Sequence, residues 1–140
     1  MQMNELNDWL AQFKDKLLAK FGDELEFIGI QGNRARGDAK LESDIDVVVI
    51  FKEMTFEKLT AYEVVTHTKP NRHLLWGFVS GIEELLVWDK SDLFIFVYDT
   101  KPLYGSLEFL KQQIQTEDIE RFVREGQGGF IMVPYTIFCI

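Results

Sequence analysis

The sequence is poor in the residues that build cross-links and cationic surfaces. It holds one cysteine, Cys139, in 140 residues. No intramolecular disulfide can form, and no metal cluster of the cysteine type is available. The single thiol fits a reducing compartment. Histidine is nearly absent: His67 and His73 are the two, with Pro70 between them. That arrangement gives no i,i+4 pair of ligands on a helix, so both are expected as surface or hydrogen-bonded histidines. Basic residues number 15 against 23 acidic ones, a net charge of −8. The average field repels a polyanion, which argues against a domain that grips nucleic acid by its phosphates. A single phosphate-bearing substrate held by a metal is still admitted, because a bound cation inverts the local field. No apolar run approaches the roughly 20 residues that span a bilayer. The first residues lack a basic stretch followed by an apolar one, so no signal peptide is expected. The expectation is a soluble, cytoplasmic protein without a membrane partner.

What is present is a large apolar inventory. Hydrophobic residues make up 46% and aromatic residues 14%, with 12 phenylalanines. Such a chain buries a core, and wholesale disorder is excluded. The length suits one domain, residues 1–140. No repeat or low-complexity linker divides it.

Leu6, Trp9, Leu10, Phe13, Leu17, Leu18 and Phe21 recur at helical spacing, with Asn4 placed to cap the start and Gly22 to end it. Leu25 to Ile30 reads as a strand, and Gln31 to Ser43 as a loop or a loop plus a short helix. Asp44 to Phe51 is β-branched and apolar on both parities after its first residues, as in a strand buried on both faces. Thr55 to Thr66 reads as a helix capped by Thr55. Residues 73–87 carry a helical stripe of Leu74, Leu75, Phe78, Ile82, Leu85 and Leu86, weakened by Gly77 and Gly81. Leu93 to Tyr98 reads as a strand; Ser106 to Ile114 and Thr116 to Glu125 read as helices. Gly128 to Ile140 is almost wholly apolar. It reads as a final strand, a homodimer surface, or the cut edge of a longer protein.

The chemistry concentrates between Ile28 and Val48. A glycine turn, Gly32-Asn33, follows a strand directly. A carboxylate pair, Asp44 and Asp46, opens the next strand. Residues i and i+2 of a strand project from one face, so the two carboxylates point together while Ile45 turns to the core. Paired carboxylates repel unless something positive joins them. Hard oxygen ligands on a rigid strand suit Mg²⁺, which typically takes one or two carboxylates plus phosphate oxygens and water. Backbone N–H groups of the glycine turn can face phosphates, and Arg34 and Arg36 can add charge-assisted hydrogen bonds. The parts describe a site for a metal–triphosphate complex. An Asp-x-Asp pair alone would more often be a solvated strand edge; the glycine turn upstream, at this spacing, outweighs that reading. No P-loop, dinucleotide fingerprint or calcium loop is present. Trp76 and Trp88 have rings able to stack on a base, although aromatic residues here are more often core.

Gly32-Asn33-Arg34-Ala35-Arg36-Gly37-Asp38-Ala39 followed by Ser43-Asp44-Ile45-Asp46-Val47 resembles the signature of DNA polymerase beta-like nucleotidyltransferases, and in particular their minimal members. The match covers about twenty residues, with the element order plausible from Leu25 to Leu110. The resemblance implies an α+β (α/β) fold, a mixed β-sheet flanked by helices. It implies transfer of a nucleoside monophosphate, AMP foremost, from an NTP to a hydroxyl acceptor with two Mg²⁺ ions. Asp44 and Asp46 would be metal ligands and catalytic carboxylates. Gly32 and Asn33 would hold phosphates, with Arg34 and Arg36 beside them. A third carboxylate would come from a later strand; Asp92, opening Leu93 to Tyr98, is the choice, with Asp89 and Asp99 as competitors. One departure is that Asn33 stands where the family has serine, which bears on triphosphate binding and turnover. The acceptor could be a protein or a small molecule. Two alternatives follow from the resemblance: an antitoxin that binds a helical toxin partner, and an antibiotic nucleotidyltransferase.

Overall fold

The computed structural model describes residues 3–32 and 44–124. Helix α1 (Met3–Phe21) buries Leu6, Trp9, Leu10, Phe13, Leu17 and Phe21. It begins one residue before Asn4, whose Oδ1 accepts from the backbone N–H of Glu5 at 3.0 Å. Gly22, with φ +54°, ends it in the left-handed region that glycine enters without a Cβ penalty. Strand β1 (Leu25–Gln31) follows a short 3₁₀ turn, and strand β2 (Ile45–Phe51) pairs with it antiparallel. Helix α2 (Phe56–His67) is capped as expected: Thr55 Oγ1 accepts from the backbone N–H of Lys58 at 3.2 Å. Strand β3 (Leu75–Gly81) then runs parallel to β2, which makes α2 the crossover of a parallel pair. Short helix α3 (Ile82–Leu86) and helix α4 (Lys90–Asp99) lead to strand β4 (Lys101–Gly105), antiparallel to β1. Helices α5 (Glu108–Lys111) and α6 (Thr116–Arg124) complete the described chain.

The sheet order is β3-β2-β1-β4, mixed in direction and flanked by helices. Side-chain alternation along β2 divides the core into two layers. Ile45, Val47, Val49 and Phe51 pack with α1 and with Tyr62 of α2. Val48 and Ile50 turn the other way, onto Phe27, Phe78, Leu85 and the α4 residues Leu93, Phe96 and Val97. Phe78, Trp88 and Phe96 form a ring cluster with centroids 5.3–5.5 Å apart. Both faces of β2 are covered, which is why its sequence reads as a continuous apolar run.

Three expected elements differ. Leu93 to Tyr98 is a helix, not a strand. Asp89 caps it, its Oδ1 accepting from the backbone N–H of Ser91 at 2.9 Å. Leu93, Phe96 and Val97 are buried, at i, i+3 and i+4 spacing, while Tyr98 is exposed. Six consecutive apolar residues carry no period by themselves, so the helix shows only with its polar flanks included. The stripe over residues 73–87 splits into β3 and α3, with Gly77 inside the strand and Gly81 at the junction. Strand β4 was not anticipated; it is a short edge strand carrying Pro102. The helix expected over Ser106 to Ile114 shortens to Glu108–Lys111. Among the described residues no helix is long and apolar enough to cross a membrane. Gly128 to Ile140, with the homodimer contact expected there, lies outside the described residues.

Candidate active site

The antiparallel turnover from β1 to β2 builds the site. Gln31, the last residue of β1, pairs with Asp46 of β2. Gly32 follows with φ +74°. A Cβ built on Gly32 would lie 2.6 Å from Asp46 Oδ2. Real Cβ atoms do not come so close, so a side chain at this position would force the Asp46 carboxylate to shift. Two sequence features separated by eleven undescribed residues thus meet in space. Asp46 is half-buried and Asp44 exposed. Strand alternation puts them on the face shared with Val48 and Ile50, beneath the α4 layer.

Three further residues share this rim. Trp76 of β3 pairs with Asp46 in parallel register. Gln31 Nε2 donates to Thr100 Oγ1 at 2.7 Å, which ties the C-terminal end of α4 to the end of β1. Lys101 opens β4 opposite Ile30, exposed at the same edge. Neither Gln31 nor Thr100 belonged to the expected site, and Trp76 was singled out only as a ring able to stack on a base, with core packing the commoner role. Their signal lies in strand register, which needs β3 and β4 to be recognised first.

Asp92 sits in the first turn of α4, two residues after Ser91's neighbour Lys90. Its expected position at a strand opening is therefore corrected. The opposite end of the helix is tied to Gln31 through Thr100, the residue after Asp99. Seven residues separate Asp92 from Asp99, about 10 Å of helical rise. Partial burial, with Asp89 adding repulsion, pushes the Asp92 carboxyl above its ordinary value. Arg121 of α6 stands nearby, 3.8 Å from Asp89 Oδ1 and 3.4 Å from Ser91 Oγ. Asn33, Arg34 and Arg36 lie outside the described residues. His67 is exposed and bonded to its own helix, with Nδ1 2.7 Å from the Glu63 carbonyl oxygen. Among the described residues no group of three or more His, Cys, Asp and Glu side chains gathers around a point.

The donor set suits Mg²⁺. Two carboxylates, Asp44 just before β2 and Asp46 within it, beside a glycine turn match an ion that seldom takes an all-protein cage. The cradle formed by Gly32 against Asp46 Oδ2 is the structural observation behind that fit.

Comparison with known proteins agrees with the geometry. The chain matches the nucleotidyltransferase domain family over residues 10–126. A Methanocaldococcus jannaschii protein, provisionally named a protein adenylyltransferase, is 37% identical over 65 residues, which are 46% of this chain and 44% of that protein. The chain thus matches less than half the length of this curated relative. Among solved structures, a Sulfolobus solfataricus protein provisionally described as a nucleotidyltransferase superposes with a TM-score of 0.52. Its identity is 22%, covering 74% of this chain and 83% of that one. The spectinomycin adenyltransferase of Enterococcus faecialis, solved with ATP and spectinomycin, gives a TM-score of 0.55 at 14% identity, covering 87% and 66%. These two likenesses show the fold. With the family matched across most of its residues, this chain belongs to the nucleotidyltransferase domain family.

Proposed function

We propose that the chain transfers a nucleoside monophosphate, AMP foremost, from an NTP to a hydroxyl acceptor at the Asp44/Asp46 rim. The observation that carries this reading is that the Asp46 carboxylate sits against the face of Gly32 where a side chain would be, its Oδ2 2.6 Å from where a Cβ would lie, which brings the glycine turn and the carboxylate pair together. The adenylyl preference is supported by a matched relative and a structural neighbour that are both named for adenylyl transfer. Asp44 and Asp46 would hold Mg²⁺, which when bound would neutralise phosphate charge in the transition state. The turn at Gly32, with Asn33, Arg34 and Arg36, holds the β- and γ-phosphates. The acceptor oxygen forms a bond to the α-phosphorus as the bond to pyrophosphate breaks. Asp99, at the helix end tied to Gln31, takes the place that the sequence assigned to Asp92 and accepts the hydroxyl proton.

Acceptors of two kinds fit this scheme, a protein hydroxyl and a small hydroxylated molecule. An antitoxin role through a helical protein partner is compatible with the first. The test is incubation with Mg²⁺ and ATP labelled at the α-phosphorus. Label is expected on protein or small-molecule acceptors from a lysate of the source cells. No labelled product, with wild type matching Asp46→Asn, contradicts the reading.

A further inference from the structure

Trp76 is the exposed position of an otherwise buried strand. Every other residue of β3 is buried, while Trp76 is 43% exposed. The other two tryptophans, Trp9 and Trp88, are 3% and 4% exposed and belong to the two core layers. Among the described residues the Trp76 side chain takes part in no ring contact and no hydrogen bond. Its indole is therefore not needed by the core. Its place is not arbitrary either. Parallel register sets it directly beside Asp46, on the same face of the sheet. Phe78, two residues on, lies under α4 on that face.

The rim thus reads, across three strands, as Gly32 after β1, Asp46 on β2 and Trp76 on β3. Adjacent strands lie about 4.8 Å apart, so the glycine turn and Trp76 flank the carboxylate at a total span of about 10 Å. Phosphates held at the glycine turn leave the α-phosphorus over Asp46. What lies beyond the α-phosphorus then falls over β3. That is either the base of the nucleotide or the acceptor, which attacks from the side opposite the departing pyrophosphate. A flat aromatic surface there is suited to stack on another flat ring, as tryptophan does with bases.

We propose that Trp76 is a stacking platform for a flat ring of the substrate held at the Asp44/Asp46 site, and so a specificity-determining residue. The proposal rests on the nucleotidyltransferase reading of that site. Two rings share this chemistry, the nucleobase and a ring carried by the acceptor.

Tryptophan emission tests it in the intact protein. Because Trp9 and Trp88 are buried, emission that acrylamide can quench reports Trp76. Quenching is measured with Mg²⁺ plus tripolyphosphate, with Mg²⁺ plus α,β-methylene-ATP, and with the latter plus adenosine or phenol as ring-bearing alcohols. Calorimetry on the same samples records binding separately. Tripolyphosphate is expected to leave quenching unchanged. A drop of about two-fold with methylene-ATP identifies the base as the ring, and a drop only after the alcohol is added identifies the acceptor. Where methylene-ATP gives the drop, Trp76→Ala weakens its binding about ten-fold, Trp76→Phe largely keeps it, and tripolyphosphate binds all three proteins alike. Bound phosphates with no protection of Trp76 in any arm overturn the proposal, as does equal protection by tripolyphosphate. If calorimetry finds neither phosphate compound bound, the site reading itself fails and this inference falls with it.

Discussion

Gly32 is the residue on which the site depends most sharply. Its φ of +74° strains any side chain there, and a Cβ would lie 2.6 Å from Asp46 Oδ2, which would have to shift. Gly32→Ala is expected to cost about 1–2 kcal/mol through its left-handed backbone alone. It should also displace the Asp46 carboxylate, lowering affinity for Mg²⁺–nucleotide by about ten-fold or more. Urea denaturation reads the first effect and calorimetry the second. Normal nucleotide affinity in a folded Gly32→Ala protein would count against the site. The acidic residues of α4 make a second contrast. Asp99→Asn should depress transfer about a hundred-fold, the scale of a lost general base. Asp92→Asn should leave transfer near wild type if the base is Asp99, next to the Thr100 that is tied to Gln31. Single-turnover rates of the two variants decide between them; equal losses would contradict the placement.

At the scale of elements, α4 links stability to function. Its Phe96 is 2% exposed within the ring cluster with Phe78 and Trp88, and its far end is tied to Gln31. Phe96→Ala is expected to destabilise the fold by about 3–5 kcal/mol, as a large cavity does. Urea unfolding measures it. The N-terminal end of α4 adds a pH dependence. Burial and Asp89 raise the Asp92 carboxyl above its ordinary value of 3.8. The stability it contributes is complete below that value and is lost as pH rises through the raised one. Asp92→Asn should therefore gain stability relative to wild type between about pH 3 and pH 7, by less than about 1 kcal/mol for so solvent-exposed a site. A pH-independent difference would show the two environments to be alike.

The same helix explains what could and could not be read from the chain. Helix α1, α2 with its Thr55 cap, and strands β1 and β2 carry clear periods or buried runs, and each stands close to where the residues predict it. The carboxylate pair and glycine turn were legible because their spacing is local. The third acidic position was not. The stretch from Leu93 to Tyr98 suits a strand or a helix equally, and the strand reading put Asp92 at a strand opening, whereas it lies in the first turn of a helix. Trp76 and Gln31 join the site only through register with Asp46, a relation between strands that no local pattern encodes.

For the whole molecule, a strongly acidic chain is asked to hold a polyphosphate. With a net charge of −8, that is workable only if divalent cations at Asp44 and Asp46 reverse the field locally. Nucleotide binding should accordingly vanish when the metal is chelated, and return with Mg²⁺. The most direct measurement is calorimetric titration of Mg²⁺–ATP into wild type and the Asp44→Asn/Asp46→Asn protein, both shown folded by circular dichroism. The account predicts saturable binding to wild type that disappears with EDTA and is absent in the double variant. Equal binding by the two proteins, or binding that survives EDTA, would contradict it.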